Sequence, residues 1–186
     1  MKNYQLAFWE IVTKNLVFLD ETGMRLNFTR THGRSERGKR CRGQRPKPKG
    51  KIVTLIGAMC ITGVIASLMF EGGTNTETFL FFVREILVPT LWKGAVVVMD
   101  NLNVHTNQLV IDAIESVGAK VLFLPTYSPD LNPIEMLWSK LKAFLRKLKP
   151  RTRKDLDAAV STFVASLQQK DLLGYFIETE ARTVFI

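Results

Sequence analysis

Five consecutive apolar residues, Ala95-Val96-Val97-Val98-Met99, stop on the pair Asp100-Asn101. A run without polar alternation fits a strand covered on both faces, as in a parallel sheet held between helices. A second run, Leu16-Val17-Phe18-Leu19, stops the same way on Asp20-Glu21. Packing does not explain an acid at the end of an apolar strand, because burying an unpaired charge is costly.

The rest of the pattern completes an α/β chain. The first strand is expected to run from Leu16 through Met24 to Phe28, after a bend at Gly23. Ile52–Cys60 and Val64–Phe70, separated by Ile61-Thr62-Gly63, read as a hairpin. Thr74 or Asn75 can cap a helix carrying Phe79, Phe82, Val83, Ile86 and Leu87, which stops near Pro89. A helix over about Gln108–Val117, a short strand at Lys120–Leu124 and a proline-stiffened loop follow. Ile134, Leu137, Trp138, Leu141, Phe144, Leu145 and Leu148 then form one apolar face of a helix that Pro150 ends. Thr152 heads a last helix with Leu156, Ala159, Val160, Phe163 and Leu167 on one side, in a C-terminal helical region of about 152–186. An opening segment with Leu6, Phe8, Trp9 and Val12 apolar reads as a further short helix. The order β-β-β-α-β-α-β-α-α implies three antiparallel strands, then two parallel ones, with helices on both faces. In the strand order such folds adopt, the first and fourth strands are neighbours. Asp20 and Asp100 should then stand close together at carboxyl strand ends, where sites in open sheets gather.

A third acid completes the set. Glu135 lies at the start of the Ile134 helix, with 34 residues between it and Asp100. Three carboxylates in such positions suit a pair of divalent metals, and carboxylate-held metal pairs commonly serve phosphoryl transfer on nucleic acid. Each acid also has a plainer reading. Glu21 could be the ligand in place of Asp20, which is preferred. Asp100-Asn101 could close a strand in a turn, and an acid in a first helical turn is favoured by the helix dipole alone. The coincidence of all three favours a site.

The motifs Phe18-Leu19-Asp20-Glu21-Thr22-Gly23, Met99-Asp100-Asn101-Leu102-Asn103-Val104-His105 and Tyr127-Ser128-Pro129-Asp130-Leu131-Asn132-Pro133-Ile134-Glu135 closely resemble the catalytic domain of IS630-type transposases. These belong to the IS630/Tc1/mariner superfamily of DDE transposases, and the resemblance spans about Leu16 to Lys149. It implies a ribonuclease H-like, retroviral integrase-like fold with a mixed five-stranded sheet. It also implies a triad of Asp20, Asp100 and Glu135 that binds two Mg²⁺ or Mn²⁺ ions. The implied chemistry is DNA strand cleavage by water and strand transfer by a DNA 3′-hydroxyl. Mg²⁺ is hard, takes oxygen ligands and is held by few carboxylates, which agrees with that triad. Supporting roles are expected for His105, beside the scissile phosphate or an outer-shell water, and for Asn101 and Asn132, orienting carboxylates or capping helices. Tyr127, Pro129 and Pro133 read as loop stiffeners, and Trp138 as core.

Charge points the same way. The chain of 186 residues holds 26 Lys or Arg and 17 Asp or Glu, but ten of the bases and one of the acids (Glu36) fall between Arg30 and Lys51. The remainder is balanced, so the excess of +9 comes from one stretch. A concentrated charge of this kind reads as a polyanion-binding surface; its plain alternative is a solvated loop. Arg34, Arg37, Lys39, Arg40, Arg42 and Arg45 in this insertion (about 31–50) are the candidate DNA contacts, with Lys142 from a second basic set along the Ile134 helix. Phosphate contacts there would be sequence-independent and salt-sensitive.

Other classes are disfavoured. No apolar run reaches the roughly 18 residues of a membrane span, and the first residues lack the pattern of a signal peptide. Cys41 sits in the basic loop and Cys60 in an apolar strand, which argues against a disulfide framework and for a reducing, cytoplasmic setting, nucleoid-associated in a bacterium. Two cysteines and two histidines argue against structural zinc. The length fits one catalytic domain. The helix-turn-helix reader that relatives carry at the N-terminus is expected to be absent, leaving a frameshift partner, a supply in trans or a truncation. Relatives commonly act as homodimers on paired ends, which makes transposon ends, target DNA and a second copy the expected partners. The alternatives are a ribonuclease H-like nuclease or resolvase, and a catalytically silent DNA-binding remnant.

Overall fold

The computed structural model describes residues 13–44, 46–47, 50–126 and 128–184, with the backbone alone for 180–184. The expected opening helix, with Arg45 and Tyr127, lies outside the described residues.

β1 (Leu16–Met24), β2 (Val53–Cys60) and β3 (Gly63–Glu71) form an antiparallel meander, and β4 (Val96–Met99) and β5 (Lys120–Phe123) add in parallel. The sheet order is β3-β2-β1-β4-β5, so the first and fourth strands are indeed neighbours. β2 and β4 are buried along their whole length, as runs without polar alternation require.

Strand alternation divides the core in two. Leu16 and Phe18 of β1 and Val96 and Val98 of β4 face a cluster with α3 (Ile134–Leu148), α4 (Arg153–Ala165) and α5 (Gln169–Val184). Val17, Leu19, Val97 and Met99 face the other cluster, with α1 (Thr76–Phe81) and α2 (Gln108–Glu115). Among the described residues no helix is long and apolar enough to cross a membrane.

Three expectations are corrected. β1 does not run on to Phe28: it passes straight through Gly23 and ends at Met24, opposite Val53 where its partner β2 begins. The helix before Pro89 is not uniform. Asn75 caps α1 through its side chain, but the chain widens into a π-helix over Phe82–Leu87 and leaves through a 3-10 turn, Val88–Thr90. Proline has no N–H to give and its ring would meet a carbonyl four residues back, so a regular α-helix cannot continue there. Finally, the Thr152 helix, closed by a full capping box, is not the last. α5 follows, burying Leu172 and Phe176; the Phe176 ring meets Phe18 edge-on at 5.5 Å. Gly174 inside α5 hid it from a reading by helix propensity.

Candidate active site

β1 and β4 run parallel with Phe18 opposite Val98, and the same register carried on by two residues sets Asp20 level with Asp100. Asp20 is not at a strand end, however. It lies inside β1, paired with Gly57 of β2, while β4 has already stopped at Met99. The sheet is therefore open on the β4 side of Asp20, where the chain leaves β4 at Asp100.

Alternation sends Asp20 and Glu21 to opposite faces. Asp20 faces α3, where Trp138 Nε1 donates a hydrogen bond to Asp20 Oδ2 at 3.0 Å. Glu21 faces the other layer and accepts from His105 Nε2 at 3.1 Å. Of the two acids left open by the sequence, Asp20 is the one on the side of Glu135. Trp138 and Glu135 are three residues apart on α3, hence on one face a turn apart. Glu135 is exposed, in the first turn of the helix, and its backbone N–H donates to the Asn132 carbonyl.

His105 is fully buried, stacked on Phe79 with ring centroids 4.4 Å apart. Its Nδ1 donates to Asp100 Oδ1 at 2.5 Å, which also accepts from the Leu102 backbone N–H at 3.1 Å. A carboxyl oxygen stands within hydrogen-bond reach of each ring nitrogen. Burial alone would lower the pKa of His105, but the hydrogen bonds to Asp100 and Glu21 outweigh it and carry the imidazole up to about 9. Partial burial would raise Asp100; the His105 hydrogen bond and charge outweigh that and hold it below the usual carboxylate range. Asp20 behaves oppositely. Burial pushes it up, the Glu21 backbone N–H and Trp138 oppose this, and the nearby Glu135 and Glu21 charges reinforce it, to about 7.

Several supporting residues stand elsewhere than expected. His105 does not face an incoming phosphate; it is sealed between two carboxylates. Asn101 orients no carboxylate: its Nδ2 donates to the Leu124 carbonyl at 2.5 Å, tying the end of β4 to that of β5. Asn132 caps α3 with its main chain, and its buried Oδ1 has no hydrogen-bond partner among the described residues. Trp138 is core, as expected, but is also a donor to Asp20, which sequence reading missed. Among the described residues no three His, Cys, Asp or Glu side chains form a ready-made metal cage. Asp100 is turned to His105, Glu135 is exposed, and of the three acids only Asp20 and Glu135 feel each other's charge directly.

The basic residues divide as well. A cleft of about 1550 Å³ runs between the start of the insertion and α3. Arg25, Arg30, Arg42, Lys142, Arg146 and Arg151 line it, and no acid does among the described residues. Arg34, Arg37, Lys39 and Arg40 lie outside it on the exposed loop, with Lys39 ion-paired to Glu36. Lys140 and Arg153 are drawn away to Asp171 and Asp157.

A sequence model of the DDE superfamily endonucleases matches residues 15–157, which contain all of β1 to β5 and the three acids. The chain belongs to the DDE superfamily endonucleases. The fold of this DDE endonuclease domain is ribonuclease H-like, similar to that of Mos1 transposase. Against the Mos1 strand transfer complex the TM-score is 0.82 at 19% identity, covering 98% of this chain and 57% of that one. The Mos1 mariner paired end complex with Mn gives 0.78 at 18% identity, covering 98% and 60%. The isolated Mos1 catalytic domain gives 0.68 at 16% identity, covering 98% and 86%. The domain thus spans less than two thirds of the Mos1 chain in those complexes. No curated protein sequence matches it.

Proposed function

We propose that this domain is the catalytic part of an IS630/Tc1/mariner-type transposase, cutting DNA at transposon ends and joining them to target DNA. The observation that carries the reading is the register that sets Asp20 level with Asp100, with Glu135 in the first turn of the helix that Trp138 ties to Asp20. Asp20, Asp100 and Glu135 would hold Mg²⁺ or Mn²⁺, two ions in the full reading. An all-carboxylate donor set fits a hard divalent cation. Burial, reinforced by the nearby Glu135 and Glu21 charges, pushes the Asp20 carboxyl up to about 7, and a bound cation would favour its ionised form. Bound there, the metal would activate the attacking water or 3′-hydroxyl and offset charge on the leaving oxygen.

The chain's own residues supply orientation. His105 fixes Asp100 through Oδ1, leaving Oδ2 as the oxygen to meet a ligand, and neutralises Glu21 on the far side. Asp20 is buried more deeply than Asp100, and Glu135 is exposed on the outer side, so the DNA would approach from α3's N-terminus. The basic cleft lies along the C-terminal half of α3, where Lys142 and Arg146 would contact backbone phosphates. The Mos1 relatives were captured as paired-end and strand transfer complexes. By that likeness the working form here would be two copies on two ends, with an N-terminal DNA-reading segment in cis or in trans.

The test is nicking and strand transfer on supercoiled plasmid with Mg²⁺ or Mn²⁺. Wild type is expected to cut and to join a 3′-hydroxyl end, and Asp100→Ala and Glu135→Ala to do neither. Cutting by either variant at the wild-type rate would sink the triad. Cutting without joining would favour a simple nuclease.

A further inference from the structure

Trp138 does more at the site than fill space. Its ring is buried, 3% exposed, and lies over Gly57, the β2 residue directly opposite Asp20 in the ladder. A Cβ at position 57 would fall 2.6 Å from Trp138 Cη2 and 3.3 Å from Cζ2, closer than the ring allows. The absent side chain on β2 is therefore what lets the indole sink onto the sheet. At that depth Nε1 meets Asp20 Oδ2 at 3.0 Å. Trp138 also sits one turn from Glu135, so the same contact fixes α3 against β1 and sets the spacing of two of the three acids.

We propose that Trp138 is a positioning residue for Asp20, holding the plane of its carboxyl group for a divalent cation through the indole N–H, with Gly57 as the cradle that sets the depth of the ring. This rests on the metal reading above. Donors that hold a ligating group in place commonly cost 10- to 100-fold in metal affinity when removed. Trp138→Phe keeps an aromatic ring in the core and deletes only the N–H and one ring's worth of contact. Gly57→Ala leaves Trp138 and Asp20 chemically intact and displaces the indole.

Mn²⁺ binding to the full chain would be measured by titration calorimetry, with circular-dichroism melting as the check on folding. The proposal expects Trp138→Phe to weaken Mn²⁺ binding about 10- to 100-fold while melting within a few degrees of wild type. Gly57→Ala should weaken it similarly, and the double variant should bind no more weakly than either single one, because both remove the same contact. Asp20→Ala serves as the reference for lost binding. Wild-type affinity in a folded Trp138→Phe chain overturns the proposal and leaves the metal reading standing. If wild type and Asp20→Ala bind Mn²⁺ alike, the metal reading fails and this proposal with it.

Discussion

Asp100 Oδ1 stands 2.5 Å from His105 Nδ1, and the opposite nitrogen of that ring stands 3.1 Å from Glu21 Oε2, so one imidazole links the loop after β4 to the middle of β1. The ring is wholly buried and Glu21 nearly so, at 11% exposure. Removing one partner of a buried ionic contact leaves an uncompensated charge. His105→Ala should therefore lose about 3 kcal/mol of folding stability, the low end of the range because Asp100 remains half hydrated. Urea denaturation checks this, and Glu21→Gln with His105→Ala should recover part of the loss.

The basic cleft makes a prediction about salt. Each phosphate neutralised on duplex DNA contributes about 0.9 to the slope of log affinity against log salt concentration. Arg42→Ala, Lys142→Ala and Arg146→Ala should each flatten that slope by about 0.9, measured by fluorescence anisotropy on a DNA duplex. Lys140→Met should not, because its ammonium is committed to Asp171 at 2.9 Å.

α5 is part of the core rather than an appendage. Phe176 is 3% exposed and packs edge-on against Phe18, a residue of the strand that carries Asp20. Phe176→Ala should cost about 3–5 kcal/mol in chemical denaturation. A cost below 1 kcal/mol would mean that α5 is not docked in solution.

The Lys140–Asp171 pair, which joins α3 to α5, carries a pH signature. The lysine hydrogen bond holds Asp171 below its ordinary value, and the same bond raises Lys140. A lowered acid gives stability that is present above its unfolded pKa of about 3.9 and lost as pH falls through the folded value. The raised lysine gives stability present below about 10.4 and lost as pH climbs past it. The melting temperatures of wild type and Lys140→Met should thus differ at pH 7 and coincide at pH 2. A difference unchanged at pH 2 would show that the pair contributes through packing alone.

What the sequence disclosed and what it hid have physical causes. The pairing of β1 with β4, which sets Asp20 and Asp100 at the same level, was legible because Leu16–Leu19 and Ala95–Met99 both read as buried strands. The identity of α3 and its end were legible from apolar spacing and Pro150; Lys149 takes the left-handed conformation there, φ 55°. The partners of those acids were not legible. That Glu21 meets His105 depends on which way a loop returns after β4. That Trp138 reaches Asp20 depends on Gly57, which in the sequence is only a small residue in an apolar strand. Of the basic side chains along and after α3, Lys142, Arg146, Lys149 and Arg151 line the cleft, and nothing in their spacing separates these from Lys140 or Arg153.

Asp20 belongs to a ladder of seven consecutive pairs with β2, the third counted from the Phe18–Met59 end and the fifth from the Met24–Val53 end. The main chain of β1 is clamped on that side from Phe18 to Met24. Asp100 follows the last residue of a four-residue strand, and Glu135 rides the first turn of a helix. One jaw of the site is thus anchored in masonry and two are hung on hinges. Any closing of the site must come from the Asp100 loop and the head of α3 moving toward Asp20, and not from Asp20 moving toward them.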